Sequence, residues 1–299
     1  MSIQLKGVSY TYGAGTPYEK KALRNINLEI KEGEFVGIIG HTGSGKSTLV
    51  QHLNGLLLPT SGTVTVDGVN LAGKDAAARK ARHSVGMVFQ YPEHQLFEET
   101  IRADIAFGPT NLGLDAAKID ERVRVAMRFV GLPYDEFAER SPFRLSGGQQ
   151  RRVAIAGVIA MHPRYLVLDE PSAGLDPIGR QAIFDRVKAW HEDRRFTVIL
   201  VSHNMEDISR LASRVIVLNK GEIMLDGNPL DIFINHSAEL AAAGVEAPPV
   251  SRLLARINEC GCAVDERAIE PEEATANILA ALGKTPPSNA AHDALQGRQ

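Results

Sequence analysis

Glu34-Phe35-Val36-Gly37-Ile38-Ile39-Gly40-His41-Thr42-Gly43-Ser44-Gly45-Lys46-Ser47 passes from a nearly continuous apolar run into a glycine-rich loop. The apolar part reads as a central strand covered on both faces. The loop fits G-x-x-x-x-G-K-[ST], which chance would place in about 1% of chains this long, and Ser47 to Leu57 behind it reads as helix. Strand, loop and helix in that order are the setting in which the motif binds phosphate. Gly40, Gly43 and Gly45 let the backbone approach a polyphosphate, and successive N–H groups from His41, Thr42, Ser44 and Thr48 can turn toward it. Lys46 is placed to bridge β and γ phosphates, Ser47 to ligate Mg²⁺, and the helix start adds its positive end. The ligand class is a nucleoside triphosphate, with ATP the expected member.

Outward from this segment, Ile3, Leu5 and Val8, then Ile26, Leu28 and Ile30, alternate as half-buried strands do. An antiparallel layer is predicted there, with Gly13 to Pro17 as its loop. Further parallel strands are predicted at Val85 to Phe89, Tyr165 to Leu168 and Thr197 to Val201, with helix from Ile178 to His191 between the last two. The result is a doubly wound α/β sheet. The β pattern lapses between Tyr91 and Arg144, where Val123, Met127 and Val130 have helical spacing, so a helical insert is expected. Val215 to Leu218, a turn at Lys220-Gly221-Glu222, and Ile223 to Leu225 close the main domain at about residue 234. Beyond it Val250, Leu253, Leu254 and Ile257 form a helical stripe, and a second helix runs from near Pro271 to Gly283. Residues 284–299 read as a disordered tail.

Tyr165-Leu166-Val167-Leu168-Asp169-Glu170 ends a buried strand in two carboxylates. Asp169 is suited to hold Mg²⁺, and Glu170 to take a proton from an attacking water. His203 follows the strand Thr197 to Val201 and so lies at the carboxyl edge of the sheet, where ligands of such sheets gather. Leu145-Ser146-Gly147-Gly148-Gln149 opens a helix that continues through Arg152, Ile155 and Val158, so a serine hydroxyl, backbone amides and a helix dipole face an anion together.

With the phosphate loop, this pentapeptide resembles the ATP-binding-cassette (ABC) ATPases. The resemblance implies a P-loop fold: a RecA-like sheet core, an antiparallel β layer, a helical subdomain over about 91–160, and a small C-terminal helical or α+β domain over 235–283 that aids dimerisation. It implies that the pentapeptide reaches the γ-phosphate held by a partner subunit. Gln90 resembles the Q-loop glutamine that touches Mg²⁺ or water, His203 the switch histidine, and Asp176, in Ser172-Ala173-Gly174-Leu175-Asp176, the D-loop aspartate. Tyr12 is the candidate for stacking on adenine, with Tyr10 as rival and plain packing of the β layer as the alternative.

Tyr91-Pro92-Glu93-His94-Gln95-Leu96-Phe97, Asp104-Ile105-Ala106-Phe107-Gly108-Pro109 and Arg151-Arg152-Val153-Ala154-Ile155-Ala156-Gly157 resemble the ATPases of energy-coupling factor (ECF) transporters over most of residues 1–283. Gly15-Thr16-Pro17-Tyr18-Glu19 is similar to the second of the two ATPase paralogues. The resemblance implies an importer of vitamins or, in related systems, cobalt or nickel. It implies a second ATPase subunit as heterodimer or homodimer partner, a transmembrane T subunit, a substrate-binding S subunit, and a peripheral position at the cytoplasmic face of the membrane. Glu93, Glu98, Glu99 and Asp104 are candidate partners for arginines of the T subunit, or else an exposed acidic face. Alternatives are an ATPase of another ABC importer, a soluble ABC ATPase acting on DNA or ribosomes, and an ATP-sensing module.

Composition narrows these. With 33 basic and 36 acidic residues and a formal charge of −3, the chain has no bulk attraction to nucleic acid. Cys260 and Cys262 lack the second pair of a structural zinc site and read as reduced thiols. Neither a signal-like start nor some 18 consecutive apolar residues occur, so a cytosolic chain that does not itself span the membrane is expected.

Overall fold

The structure, a computed structural model, describes residues 1–284 apart from Gly174 and Arg195. Gly174 of the expected D-loop and residues 285–299 of the expected tail thus lie outside the described residues. Among the described residues ten strands form two sheets: β1 Ser2–Tyr12, β2 Lys20–Lys31, β3 Phe35–Ile39, β4 Ser61–Val66, β5 Val69–Asn70, β6 Val85–Val88, β7 Tyr165–Asp169, β8 Thr197–Val201, β9 Arg214–Asn219 and β10 Glu222–Gly227. The smaller is antiparallel, in the order β2-β1-β4-β5. The larger runs β10-β9-β3-β8-β7-β6, parallel except at the β9–β10 edge.

Every residue of β3, β7 and β8 is buried, as continuous apolar runs require. Because successive side chains point to opposite faces, each strand feeds two cores. Phe35, Leu166, Leu168, Val198 and Leu200 face the helices. Val36, Ile38, Val167, Ile199 and Val201 face the Lys46–Leu53 helix and the antiparallel layer. That layer buries Ile3, Leu5 and Val8 as expected, but its alternation slips between Leu5 and Val8. There Lys6 and Gly7 of β1 oppose the single Asn27 of β2, a bulge with Gly7 at φ +60°.

The helical insert lies between β6 and β7, with helices Ile101–Asn111, Ala116–Phe129 and Gly147–Ala160 packed together. Thr100, Asp115 and Ser146 cap their N-termini. The helix after the phosphate loop stops at Leu53, four residues before the expected end, because Gly55 turns the chain at φ +72°.

The composition shift near residue 234 does not coincide with a break in packing: Leu240, Ala243 and Val245 are buried in the main core. Beyond them, helices Pro249–Glu259 and Pro271–Ala281 share a small cluster of Leu254, Val264, Ala268 and Ala274. Val250 and Ile257 pack against it, but Leu253 of the expected stripe is 52% exposed. Among the described residues no helix is long and apolar enough to cross a membrane.

Candidate functional site

The parallel register brings three strand ends level. Ile38 pairs with Val201 and Asp169 also pairs with Val201, so the phosphate loop, Ser202-His203 and Asp169-Glu170 emerge side by side. The Glu170 N–H continues the ladder to the Val201 carbonyl at 3.0 Å. Between them lies a cleft of about 290 Å³ lined by Tyr12, Thr42, Gly43, Gly45, Lys46, Ser47, Thr48, Gln90, Asp169, Glu170 and His203, together with Lys20, Ala22 and Val201. Gly40, His41 and Ser44 of the loop do not line it. Ser44 is fully buried, and the His41 N–H is taken by the Ala243 carbonyl at 3.2 Å. Gly45 must be glycine: it starts the helix at φ +110°, and a Cβ there would lie 2.8 Å from the Ala22 carbonyl oxygen.

The ionisable groups stand close in low dielectric. Lys46 is 6% exposed and donates from Nζ to the Gly40 and His41 carbonyls at 2.7 and 3.0 Å. Burial lowers its pKa, while Glu170 and Asp169 pull it back up. Burial raises the Asp169 carboxyl against the opposing pull of a Ser47 hydrogen bond and of Lys46. Glu170 is pushed up to about 7, first by burial and then by the neighbouring Asp169 charge. Its backbone sits at φ +52°, which strains a residue with a Cβ. Its Oε1 is buried without a hydrogen-bond partner and lies 3.3 Å from His203 Nε2. Burial and Lys46 lower the His203 pKa, which favours the neutral imidazole.

Tyr12 and Tyr10 are placed differently. Tyr12 is on the cleft, 40% exposed, with its hydroxyl 3.2 Å from Thr48 Oγ1. Tyr10 packs against the core behind it, edge-to-face with both Tyr12 and His52.

The pentapeptide lies elsewhere. Ser146 caps the Gly147–Ala160 helix in a reciprocal box with Gln149, and Leu145 precedes it in extended backbone. Ser146 and Gly148 line a second cleft of about 570 Å³ with Asp176, Arg152 and Arg186. Among the described residues the two clefts have no lining residue in common. Asp176 Oδ1 accepts the Gly179 N–H at 2.5 Å at the start of the Pro177–Arg194 helix.

Two of the four acids expected to meet a partner's arginines are engaged within the chain. Glu93 forms a two-bond pair with Arg151, Nε to Oε2 at 3.0 Å and Nη2 to Oε1 at 2.7 Å, with Arg151 only 3% exposed. Asp104 accepts the Phe97 and Glu98 N–H groups at 3.1 and 3.0 Å, fixing the loop before its helix. Glu99 stays exposed, beside an exposed edge-to-face pair of Phe97 and Phe107. Lys20, Arg152 and Arg186 were not anticipated as cleft residues. Lys20 reaches the first cleft from β2, Arg152 lies one turn beyond Gly148 on the helix that Ser146 caps, and Arg186 comes from the Pro177–Arg194 helix.

The sequence model of the ABC transporter family matches residues 23–173. The energy-coupling factor transporter ATP-binding protein EcfA2 of Clostridium tetani is 50% identical over 279 residues, 93% of this chain and 96% of that protein. The protein of the same name in Acetivibrio thermocellus is 54% identical over 259 residues, 87% and 91% of the two chains. This chain belongs to the ECF transporter ATP-binding proteins of the ABC family. Among solved structures, cbiO1 from Clostridium perfringens, described as part of the ABC transporter complex cbiONQ, superposes with a TM-score of 0.70 at 33% identity, covering 87% of this chain and 96% of that one. The ATP-binding cassette MJ0796, in a dimeric post-hydrolysis state bound to ADP and Pi, superposes with a TM-score of 0.68 at 33% identity, covering 76% and 98%.

Proposed function

We propose that this ECF transporter ATPase hydrolyses Mg²⁺-ATP as one of a pair of cassettes, homodimeric or heterodimeric, on the cytoplasmic face of a membrane. The observation that carries the reading is the separation of the two clefts: phosphate loop and acids in one, the serine-capped helix end in the other, with no shared lining residue. Such a chain has the parts of two half-sites. Facing two copies, or a copy and a paralogue, sets the Ser146 helix end of one against the Lys46 cleft of the other, and the similar MJ0796 cassette is dimeric.

In this reading Lys46 and the inward N–H groups of the loop bind the phosphates, and Tyr12 stacks on the adenine. Ser47, Asp169 and Gln90 offer hydroxyl, carboxylate and amide oxygens, the hard donors that Mg²⁺ takes, and Asp169 is buried facing the loop. They fit the ion, which when bound would neutralise charge on the β and γ phosphate oxygens. Glu170 takes the proton from the attacking water: its unpartnered oxygen and a pKa near 7 suit a general base. Neutral His203, beside that oxygen, donates to a γ-phosphate oxygen as charge develops there. From the opposite subunit Ser146 and the Gly147–Ala160 helix dipole complete the pocket. Asp176 stands between the two sites.

The transmembrane T subunit would dock near Gln90, with Glu98, Glu99 and the Phe97–Phe107 pair as the matching surface. An S subunit would bring the vitamin or other micronutrient. We place the nucleotide-binding domain at residues 1–234 together with the Ser237–Ala242 helix and the turn after it, which pack into its core, its helical subdomain at about 91–160, and the dimerisation appendage in the rest of 235–283. The test is Glu170→Gln in the complex isolated from its own membranes. Turnover should fall about a thousandfold while ATP stays bound and the cassettes stay paired. Wild-type turnover would remove Glu170 as the base. Co-purification of a transmembrane protein not shared among several small membrane partners would favour an ATPase of another ABC importer.

A further inference from the structure

The helix Ser237–Ala242 ends in a turn that touches the phosphate loop. At that end the Gly244 N–H bonds to the Ala241 carbonyl at 3.0 Å and the Val245 N–H to the Leu240 carbonyl at 2.9 Å. This pair of reversed bonds is a Schellman cap. Gly244 takes the left-handed φ of +64° that the cap requires. Leu240 and Val245, whose side chains meet across such a cap, are both buried in the main core. Ala243 is fully buried, and its carbonyl accepts the His41 N–H. From the end of β9, the Asn219 amide donates to the Ala242 carbonyl at 3.4 Å. On the loop's other side the Gly221 N–H holds the Ser44 carbonyl at 2.9 Å. Room at the cap is short: a Cβ on Gly244 would lie 3.2 Å from the His41 Cβ.

We propose that this cap is a positioning device for nucleotide binding: Ala243 and Gly244 anchor the phosphate loop at His41, so the segment after the catalytic core sets how tightly the loop takes a triphosphate. The inference rests on the Lys46 cleft being the ATP site. A phosphate loop binds through several N–H donors that must all point inward, and a loop ordered before the ligand arrives avoids the entropy cost of being ordered by it. The His41 N–H is not free to join those donors, because it is spent on Ala243. Its bond therefore fixes where the next residues begin their turn. Gly221 and Ala243 bracket the loop from two sides, and both follow β9 in the chain.

The test is the affinity of the full-length chain for Mg²⁺-ATP, measured by titration calorimetry in Gly244→Asn, Gly244→Val, His41→Gly and the double variant Gly244→Asn with His41→Gly. Asparagine tolerates the left-handed backbone but brings a Cβ against His41, whereas valine adds backbone strain. Kd is expected to rise about threefold for Gly244→Asn and about tenfold for Gly244→Val. KM should rise with it while kcat changes much less. With glycine at position 41 the asparagine has nothing to press on, and its further effect should shrink to about 1.5-fold or less. An unchanged Kd in both Gly244 variants, with the loss confined to melting temperature, overturns the proposal, as does a double variant whose effects simply multiply. Should Gly244→Val fail to fold, Gly244→Asn and the double variant decide alone. A wild-type chain that does not bind Mg²⁺-ATP at all would remove the ATP reading itself, a result separate from either outcome.

Discussion

The cleft around Lys46 and the helix end at Ser146 are built in opposite ways. The first is assembled from three parallel strand ends far apart in sequence, and it concentrates a buried lysine, the buried Asp169 and the partly buried Glu170, whose pKa values push against one another. The second is local: a four-residue capping box at the exposed start of one helix, whose nearby acid, Asp176, already accepts a backbone N–H. Perturbed ionisable groups belong where bonds are made and broken. A satisfied cap with an aligned dipole belongs where an anion is recognised. Under the proposed function this difference would divide labour within one polypeptide, with the chemistry in one cleft and the gate to it in the other.

Ser146→Arg in both cassettes is the sharpest way to break that division. The added bulk and charge sit at the helix end but leave the Lys46 cleft intact. Turnover of the assembled complex should drop about a hundredfold, the scale of losing a preorganised group aimed at developing charge. Affinity of the isolated chain for Mg²⁺-ATP should stay within about twofold, because no residue of its own cleft has changed. If ATP binding by the lone chain falls with turnover, the two regions are one site and the comparison fails.

Glu93 joins the two regions physically. It follows Gln90 by three residues and grips Arg151, which projects from the helix that Ser146 caps. Burial raises the Glu93 carboxyl, and the hydrogen bonds and charge of Arg151, with a backbone hydrogen bond and the charge of His94, together leave its pKa lowered. Glu93→Ala would strand a guanidinium that is 3% exposed. The expected loss is about 3 kcal/mol of unfolding free energy, read from urea denaturation. A loss within about 0.5 kcal/mol, the range of an ordinary surface substitution, would show that the pair does not hold the two regions together.

A strand that declares itself and then stops at chemistry is legible from residues alone. Phe35 to Ile39, Leu166 to Leu168 and Val198 to Val201 carry no polar side chain because both faces are covered, and each runs on into the loop, acid or histidine segment that lines the first cleft. What is not legible there depends on which distant element packs where. The helical stripe in 249–259 predicts Leu253 inward, but the small cluster it joins, Leu254 with Val264, Ala268 and Ala274, covers a narrow face, so Leu254 is buried and Leu253 is not. Glu93 and Asp104 look like any exposed acids until the fold sets Arg151 beside one and two backbone N–H groups beside the other. The bulge at Gly7 and the Schellman cap at Gly244 carry only a glycine as local signal, and the chain has 27 glycines.

Within the first cleft, the smallest predicted effect separates two tyrosines only two residues apart. Tyr12→Ala removes a ring on the cleft wall and should weaken ATP binding about tenfold, the scale of one base stacked on an aromatic side chain. Affinity for inorganic Mg²⁺-tripolyphosphate, which has no base, should not move. Tyr12→Phe keeps the ring and loses only the hydroxyl contact with Thr48, so it should bind ATP nearly as wild type does. Tyr10→Ala removes a ring that packs on His52 in the core, and its effect should appear in melting temperature. These outcomes together would mean that the two halves of the ligand are read by different layers: the phosphates by the loop of the parallel sheet, the base by the end of β1 in the antiparallel one. Equal losses for ATP and tripolyphosphate in Tyr12→Ala would mean that the ring only supports Thr48 behind the phosphate loop, and that the antiparallel layer contributes shape but no contact with the nucleotide base.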